Sequence, residues 1–244
     1  MIAVDHQDGI AVVRLEHGKV NVLDLELLEA IAGTLRTVVE ADALVLTGAG
    51  RAFSAGVDLK RLLESSAGEV EAFLLALDDA LLTLYDFPRP TVAAVNGHAI
   101  AGGCILTQCC DYRIMSGGTI GAAELRVGVP FPTAPLEIFR NAVGARATEL
   151  VLTGRTVGPD EALALGMLDA VVAPDELLDT ALERAAQLAR IPRSTFAHTR
   201  EQLRGETRRR IAAGAEADRR TRALWHSDEI RDAVRGYLEQ LAAR

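Results

Sequence analysis

The sequence is poor in cysteine, lysine and aromatic residues, and it has no long uninterrupted apolar run. Its three cysteines include the adjacent pair Cys109 and Cys110, so they form neither a disulfide framework nor the spacing of a zinc site. No apolar run reaches the about eighteen residues of a membrane-spanning helix. The first residues lack a basic segment followed by an apolar core, so we expect no secretory signal. These absences predict a cytoplasmic protein with no bound metal and no membrane partner.

The net charge and the positions of the lysines indicate which class of partner the protein binds. A formal net charge of −8 argues against nucleic acid. The chain has only two lysines, Lys19 and Lys60, and both lie in loops that we interpret below as ligand-binding. An anionic ligand would need such local positive charge. Chance placement of the two lysines is an equally open alternative.

Short apolar runs alternate with helical patterns over the first two thirds of the chain. The runs that predict strands are 10–15, 43–47, 91–95, 112–115 and 168–172, and the patterns that predict helices are 23–39, 69–85, 134–143 and 145–152. Such interleaving is typical of an α/β fold with a mainly parallel sheet. Beyond residue 174 the pattern is only helical, with long amphipathic segments at 208–225 and 228–241. With no sheet left to cover, these helices are expected to pack on another part of the chain or on another copy.

Two strand-to-helix transitions are rich in small residues. The first reads Ser54-Ala55-Gly56-Val57-Asp58-Leu59-Lys60, and the second reads Asn96-Gly97-His98-Ala99-Ile100-Ala101-Gly102-Gly103-Cys104. Backbone N–H groups at a helix start are free to donate, and the helix dipole favours negative charge there. Glycine also lets a ligand carbonyl approach the backbone closely. If the two loops converge, they offer the two donors that hold a developing oxyanion.

Glu124 is the carboxylate that stands out, because its neighbours in Gly121-Ala122-Ala123-Glu124-Leu125-Arg126-Val127-Gly128 are mostly small or apolar. Such surroundings favour a raised pKa and a general-base role. The alternative is an ion pair with Arg126 on the surface. Glu137 and Asp111 are candidates for a second acid, although Asp111 is expected to cap or pair structurally.

These three segments, in this order and spacing, resemble the crotonase (enoyl-CoA hydratase/isomerase) superfamily. The similarity runs from Gly18-Lys19-Val20-Asn21 to the last helix. It implies a ClpP/crotonase fold, in which repeated ββα units form a parallel sheet core over residues 1–190. It also implies a helical subdomain over residues 191–244 that covers the active site and builds a homotrimer, or a hexamer as a dimer of trimers. The implied substrate is an acyl-CoA thioester, with no separate cofactor because coenzyme A is part of the substrate.

The resemblance also implies roles for individual residues. Glu124 would be the catalytic residue, and the N–H groups of Val57 and Gly102 would form the oxyanion hole. The residues implied to contact substrate or coenzyme A are Lys19, Val20, Ser54, Ala55, Gly56, Asp58, Leu59, Lys60, Gly103 and Ile105.

Ile105 separates the candidate reactions. Family members that hydrate 2-enoyl thioesters carry a glutamate at this position, two residues after the last glycine of the Gly-Gly-Cys turn. Isoleucine cannot orient or deprotonate water, whereas the single remaining Glu124 could move a proton from C2 to C4 of a 3-enoyl thioester. The pattern is most similar to that of mitochondrial-type Δ3,Δ2-enoyl-CoA isomerases, and we predict an isomerase. The alternatives are a 2-enoyl-CoA hydratase of fatty acid β-oxidation and a non-catalytic acyl-CoA binding protein.

Overall fold

The computed structural model describes residues 1–242. Its strands are β1 (Ile2–Gln7), β2 (Ile10–Leu15), β3 (Ala43–Gly48), β4 (Ala52–Ser54), β5 (Thr91–Val95), β6 (His98–Ile100), β7 (Tyr112–Met115), β8 (Ile120–Gly121) and β9 (Ala170–Val171). Its helices are α1 (Leu25–Thr37), α2 (Leu59–Glu64), α3 (Ala67–Tyr85), α4 (Gly102–Cys109), α5 (Glu124–Val127), α6 (Thr133–Val143), α7 (Ala147–Thr153), α8 (Pro159–Ala164), α9 (Leu177–Ala189), α10 (Arg193–Ala213), α11 (Ala215–Trp225) and α12 (Asp228–Ala242).

The strands form a six-stranded sheet and a three-stranded sheet. The large sheet has the order β1-β2-β3-β5-β7-β9, and all of its pairs are parallel except β1 with β2. The small sheet has the parallel order β4-β6-β8. Each pair β3–β4, β5–β6 and β7–β8 sends its first strand to the large sheet and its second to the small one, and a helix follows. This arrangement confirms the predicted α/β fold of repeated ββα units with C-terminal helices.

Helices cover both faces of the large sheet, so β3 and β5 are buried along their whole length. The apolar residues Leu177, Ala181 and Ala185 of α9 recur every four positions and pack on one face. Helix α9 therefore covers the large sheet, and the expectation that no sheet is left to cover concerns only the later segments 208–225 and 228–241. The predicted boundary at residue 190 keeps this helix within the core, and the division into two parts stays a prediction.

Local capping accounts for differences in helix bounds. The Asp24 side chain accepts a hydrogen bond from the N–H of Leu27, so α1 begins two residues later than predicted. A capping box between Ser66 and Glu69 starts α3 two residues earlier than predicted. The predicted helix 208–225 is in fact the end of α10 and the whole of α11, broken at Gly214, where a Cβ atom would clash with Thr133.

No helix within residues 1–242 combines the length and the apolar character needed to cross a membrane.

Candidate active site

The two glycine-rich corners, one between β4 and α2 and the other between β6 and α4, pack directly against each other. Gly56 has a φ of +80°, and a Cβ atom there would lie 2.6 Å from the carbonyl oxygen of Ile100 and 3.5 Å from the nitrogen of Gly102. A Cβ atom on Gly103 would lie 2.8 Å from the Cβ of Ser54. Only glycine permits such close backbone approach. The loops therefore converge, which is the condition that the sequence analysis set for two donors at one site.

Ala101 holds an unusual conformation at the start of α4. Its φ of 51° and ψ of −123° lie in a region that L-residues with a side chain rarely adopt, at a cost of about 1–3 kcal/mol. Two hydrogen bonds hold it there: its N–H donates to Gly121 O at 2.8 Å, and its carbonyl accepts from the N–H of Ile105 at 3.0 Å. The turn makes Gly102 the first residue of the helix, where an N–H has no intrahelical acceptor.

Two N–H groups at these corners are free to bind a ligand. Within residues 1–242, the N–H groups of Val57 and Gly102 donate to no protein acceptor. The backbone around Val57 is nevertheless fixed, since Gly56 O accepts from the N–H of Leu23 at 2.8 Å and Asp58 donates to Leu23 O at 3.2 Å. The site can therefore present two preorganised donors to a negative oxygen.

Both corners open on one cavity of about 820 Å³, part of which is open to solvent. Its walls are almost entirely apolar. The residues predicted from sequence that line it are Ala55, Val57, Leu59, Gly102, Ile105 and Glu124. The cavity thus brings together the two free N–H groups and the proposed base.

Glu124 is the only carboxylate among the described residues that line this cavity. It is the first residue of α5 and only 8% exposed, and burial raises its pKa to about 8. Its Oε2 atom has no hydrogen-bond partner within residues 1–242. Among residues 1–242, Glu124 forms no ion pair with Arg126, and its burial excludes the surface alternative. An unpartnered carboxyl in apolar surroundings is protonated at neutral pH and strongly basic once ionised.

The other acids have structural partners away from the cavity. Asp111 accepts from the N–H of Thr91 at 2.9 Å and pairs with Arg200 and Arg204, which confirms its expected structural role. Glu137 pairs with Arg140 at 2.6 Å.

Several residues implied to touch substrate do not line this cavity: Lys19, Val20, Ser54, Gly56, Asp58, Lys60 and Gly103. The Ser54 hydroxyl is buried, donating to Asn21 O at 2.7 Å and accepting from the N–H of Gly56 at 3.2 Å. The carboxylate of Asp58 caps α2. Lys19 and Lys60 are exposed, and neither enters a salt bridge among the described residues. Any contact they make with substrate lies outside the apolar cavity.

Sequence reasoning missed two contributors to the site. The buried amide of Asn21 donates to Ala52 O at 3.1 Å and to Phe53 O at 3.2 Å, and so ties the loop before α1 to β4. The sequence feature that could have identified Asn21 is its place in the Gly-Lys-Val-Asn segment, where the resemblance to the family begins. Trp225 also lines the cavity, which no local sequence pattern indicates.

No group of three or more His, Cys, Asp or Glu side chains within residues 1–242 is placed to hold a metal ion.

Comparison with known proteins places this geometry in context. The family model for enoyl-CoA hydratase/isomerase matches residues 5–244. Human mitochondrial enoyl-CoA delta isomerase 1 is 32% identical over 251 aligned positions, which cover 99% of this chain and 83% of that protein. The crystal structure of human mitochondrial Δ3,Δ2-enoyl-CoA isomerase superposes with a TM-score of 0.93 at 30% identity, covering 99% of this chain and 98% of the other. The enoyl-CoA hydratase EchA3 of Mycobacterium ulcerans superposes with a TM-score of 0.85 at 29% identity, covering 90% and 98%.

Proposed function

The chain belongs to the enoyl-CoA hydratase/isomerase family, and from this premise we propose that it converts a 3-enoyl-CoA into the trans-2-enoyl-CoA. The observation that carries the proposal is the single carboxylate of the cavity. Glu124 is the only acid among its described lining residues, and Ile105 lines the same cavity where a hydrating enzyme of the family has a second glutamate.

In the proposed reaction the ionised Glu124 removes a proton from C2 of the bound thioester. The electrons move into a dienolate, and its oxygen accepts hydrogen bonds from the N–H groups of Val57 and Gly102. Such preorganised donors stabilise charge where it develops, and the loss of one typically costs about a hundred- to a thousand-fold in rate. Protonated Glu124 then returns the proton to C4, and the double bond comes to rest between C2 and C3. No atom is gained or lost.

The apolar walls support isomerisation over hydration. Water that entered the cavity could add to the conjugated product, and Ile105 offers it no hydrogen bond. The buried position of Glu124, with a pKa near 8, makes its ionised form a stronger base than an exposed glutamate.

Parallel incubation with 3-hexenoyl-CoA and crotonyl-CoA tests the reaction. We expect the first to gain the absorbance of a conjugated 2-enoyl thioester, and the second to change little. Loss of crotonyl-CoA absorbance without migration of the 3-enoyl bond would favour the hydratase. Tight binding of both thioesters without turnover would favour an acyl-CoA binding protein.

Replacing Glu124 by glutamine should lower kcat for double-bond migration by about a hundred- to ten-thousand-fold, because the proton carrier is lost. Acyl-CoA affinity should change little. The matched control is Glu137→Gln, which alters a buried glutamate that does not line the cavity. Undiminished turnover by the Glu124 variant would refute its role.

Lys19 and Lys60 are proposed to bind the phosphates of coenzyme A.

A trimer or a dimer of trimers is proposed as the assembly. Light scattering on the purified protein should give the mass of three or six chains, and a monomer would contradict the assembly. The expectation of a cytoplasmic location stays a prediction.

A further inference from the structure

Trp225 lies at a buried, apolar part of the cavity. It is the last residue of α11, is 4% exposed, and lines the same cavity as Glu124. Its ring packs on Phe73 with 6.3 Å between ring centroids, and its Nε1–H donates to Pro130 O at 2.9 Å. The hydrogen bond and the ring contact together fix where the indole sits.

One face of α11 holds this indole against the core. Residues 218, 221, 222 and 225 follow the i, i+3, i+4, i+7 spacing of a single helix face. Their contacts run to α3 and to the segment before and at the start of α6: Asp218 with the N–H of Thr133 at 2.8 Å, Thr221 with Phe131 O at 3.4 Å, and Arg222 with Glu71 at 2.7 Å. These three contacts, together with the two that Trp225 makes itself, hold the indole in a fixed position.

The apolar lining of the cavity suits an alkyl chain. Leu77, Leu81 and Ile105 line the cavity together with Trp225 and are at most 4% exposed, so an alkyl chain there would meet buried apolar side chains. Leu241, another lining residue, is 46% exposed, so the lining also includes a side chain that reaches solvent. A thioester held at Val57 and Gly102 would leave its polar carrier towards solvent and its acyl tail among these buried side chains.

We propose that Trp225 ends the acyl pocket and so sets the longest acyl chain that the protein accepts. The inference rests on the proposed acyl-CoA substrate, but it does not depend on whether the reaction is isomerisation or hydration. Chains that stop short of the indole gain affinity with each methylene, by about fourfold for each one buried. Acyl chains long enough to reach the indole must displace a fixed ring, so their further methylenes add no affinity.

Trp225 is the only tryptophan of the chain, so its fluorescence reports on this wall alone. Coenzyme A and saturated butyryl-, octanoyl- and dodecanoyl-CoA are the probes, with binding measured separately by calorimetry. We expect coenzyme A and butyryl-CoA to leave the emission unchanged, and the longer chains to change it. Calorimetric binding of all four with the same emission response would overturn the proposal. If no probe bound, the acyl-CoA function itself would fail, and the two failures are thus distinguishable.

A smaller side chain at position 225 tests whether the indole limits the length of the acyl chain. Trp225→Leu should extend the longest well-bound saturated acyl chain by about two carbons or more, since the space that the ring vacates can accept methylenes. Leu224→Ala is the matched control, because Leu224 precedes Trp225 on α11 and is 46% exposed. A folded Trp225→Leu protein with the wild-type chain-length profile would overturn the proposal. If that variant does not fold, the fluorescence series on the wild-type protein decides.

Discussion

At the scale of single residues, the burial of Glu124 links one protonation to turnover. Its pKa of about 8 means that the carboxyl carries a proton at pH 7 in the empty cavity. Because proton abstraction needs the ionised form, kcat/KM for a 3-enoyl-CoA should rise about tenfold per pH unit below this pKa and level off above it. A pH–rate profile from pH 6 to 9.5 checks this expectation. A profile that is flat across this range would contradict a buried base.

The same group makes stability depend on pH. In the unfolded chain Glu124 titrates near 4.5, and in the folded protein near 8, so between these values the native state binds the additional proton. Its contribution to stability is fully present below pH 4.5 and is lost as pH rises through 8, by on the order of 4–5 kcal/mol. Glu124→Gln removes this loss. Denaturant unfolding at pH 5 and pH 9 should therefore show the variant gaining stability over wild type at the higher pH, and equal differences at both would contradict it.

Sequence alone could place Glu124 among small and apolar neighbours, since these are adjacent in the chain. It could not show what Ser54 does. The Ser54 hydroxyl meets the carbonyl of Asn21, 33 positions away, and the direction of that side chain depends on how the loop before α1 packs on β4. Contacts between distant segments are set by tertiary packing, which no local pattern encodes.

At the scale of elements, the corner between β4 and α2 depends on glycine at position 56. Gly56→Ala should lower kcat by about a hundred- to a thousand-fold, comparable to the loss of one oxyanion donor. The new Cβ would lie 2.6 Å from Ile100 O, and the φ of +80° disfavours a side chain. Steady-state kinetics on 3-hexenoyl-CoA provides the measurement.

The matched control for this prediction is Gly68→Ala in the first turn of α3, where an added Cβ meets nothing within 4 Å. It should leave activity unchanged and stabilise the helix slightly. Equal activity in the two variants would show that the corner tolerates a side chain, and the proposed donor geometry would then be wrong.

The elements that sequence predicted well are those with a strong local signal. Strands β2, β5 and β7 begin and end where their apolar runs do. The strands β4, β6 and β8 were missed because two or three residues are too few to show a period. These short strands nevertheless build the small sheet that brings the two corners together, so the local pattern could give convergence of the donors only as a condition.

At the scale of the whole molecule, buried arginines of α10 attach the C-terminal helices to the core. Arg204 is 9% exposed and donates to Tyr85 O, to Cys109 O at 3.1 Å and to Asp111 at 2.7 Å. Arg204→Ala would take this donor from the carbonyls of Tyr85 and Cys109 and leave the part-buried Asp111 paired with Arg200, so it should cost about 2–4 kcal/mol of unfolding free energy.

Chemical denaturation measures this loss, with Arg209→Ala on the same helix as the control. The Arg209 side chain is 73% exposed and, among the described residues, pairs only with Glu206, one turn earlier in the same helix, so its removal should cost less than about 1 kcal/mol. Similar costs for the two variants would mean that α10 is not held through Arg204.

Because α10 is bound to the core through Arg204, the C-terminal helices are as necessary for the stability of the site as the central segments that form it. Arg204 binds Cys109 and Asp111 at the C-terminal end of α4, the helix that begins at Gly102. Trp225, which lines the cavity, is the last residue of α11, the helix that follows α10. A premature stop codon near position 190 would therefore produce no smaller working enzyme. The truncated chain would lack the contacts that Arg204 makes at the end of α4 and would expose apolar side chains of the core. We therefore expect a late nonsense mutation to abolish the proposed activity as completely as the loss of Glu124.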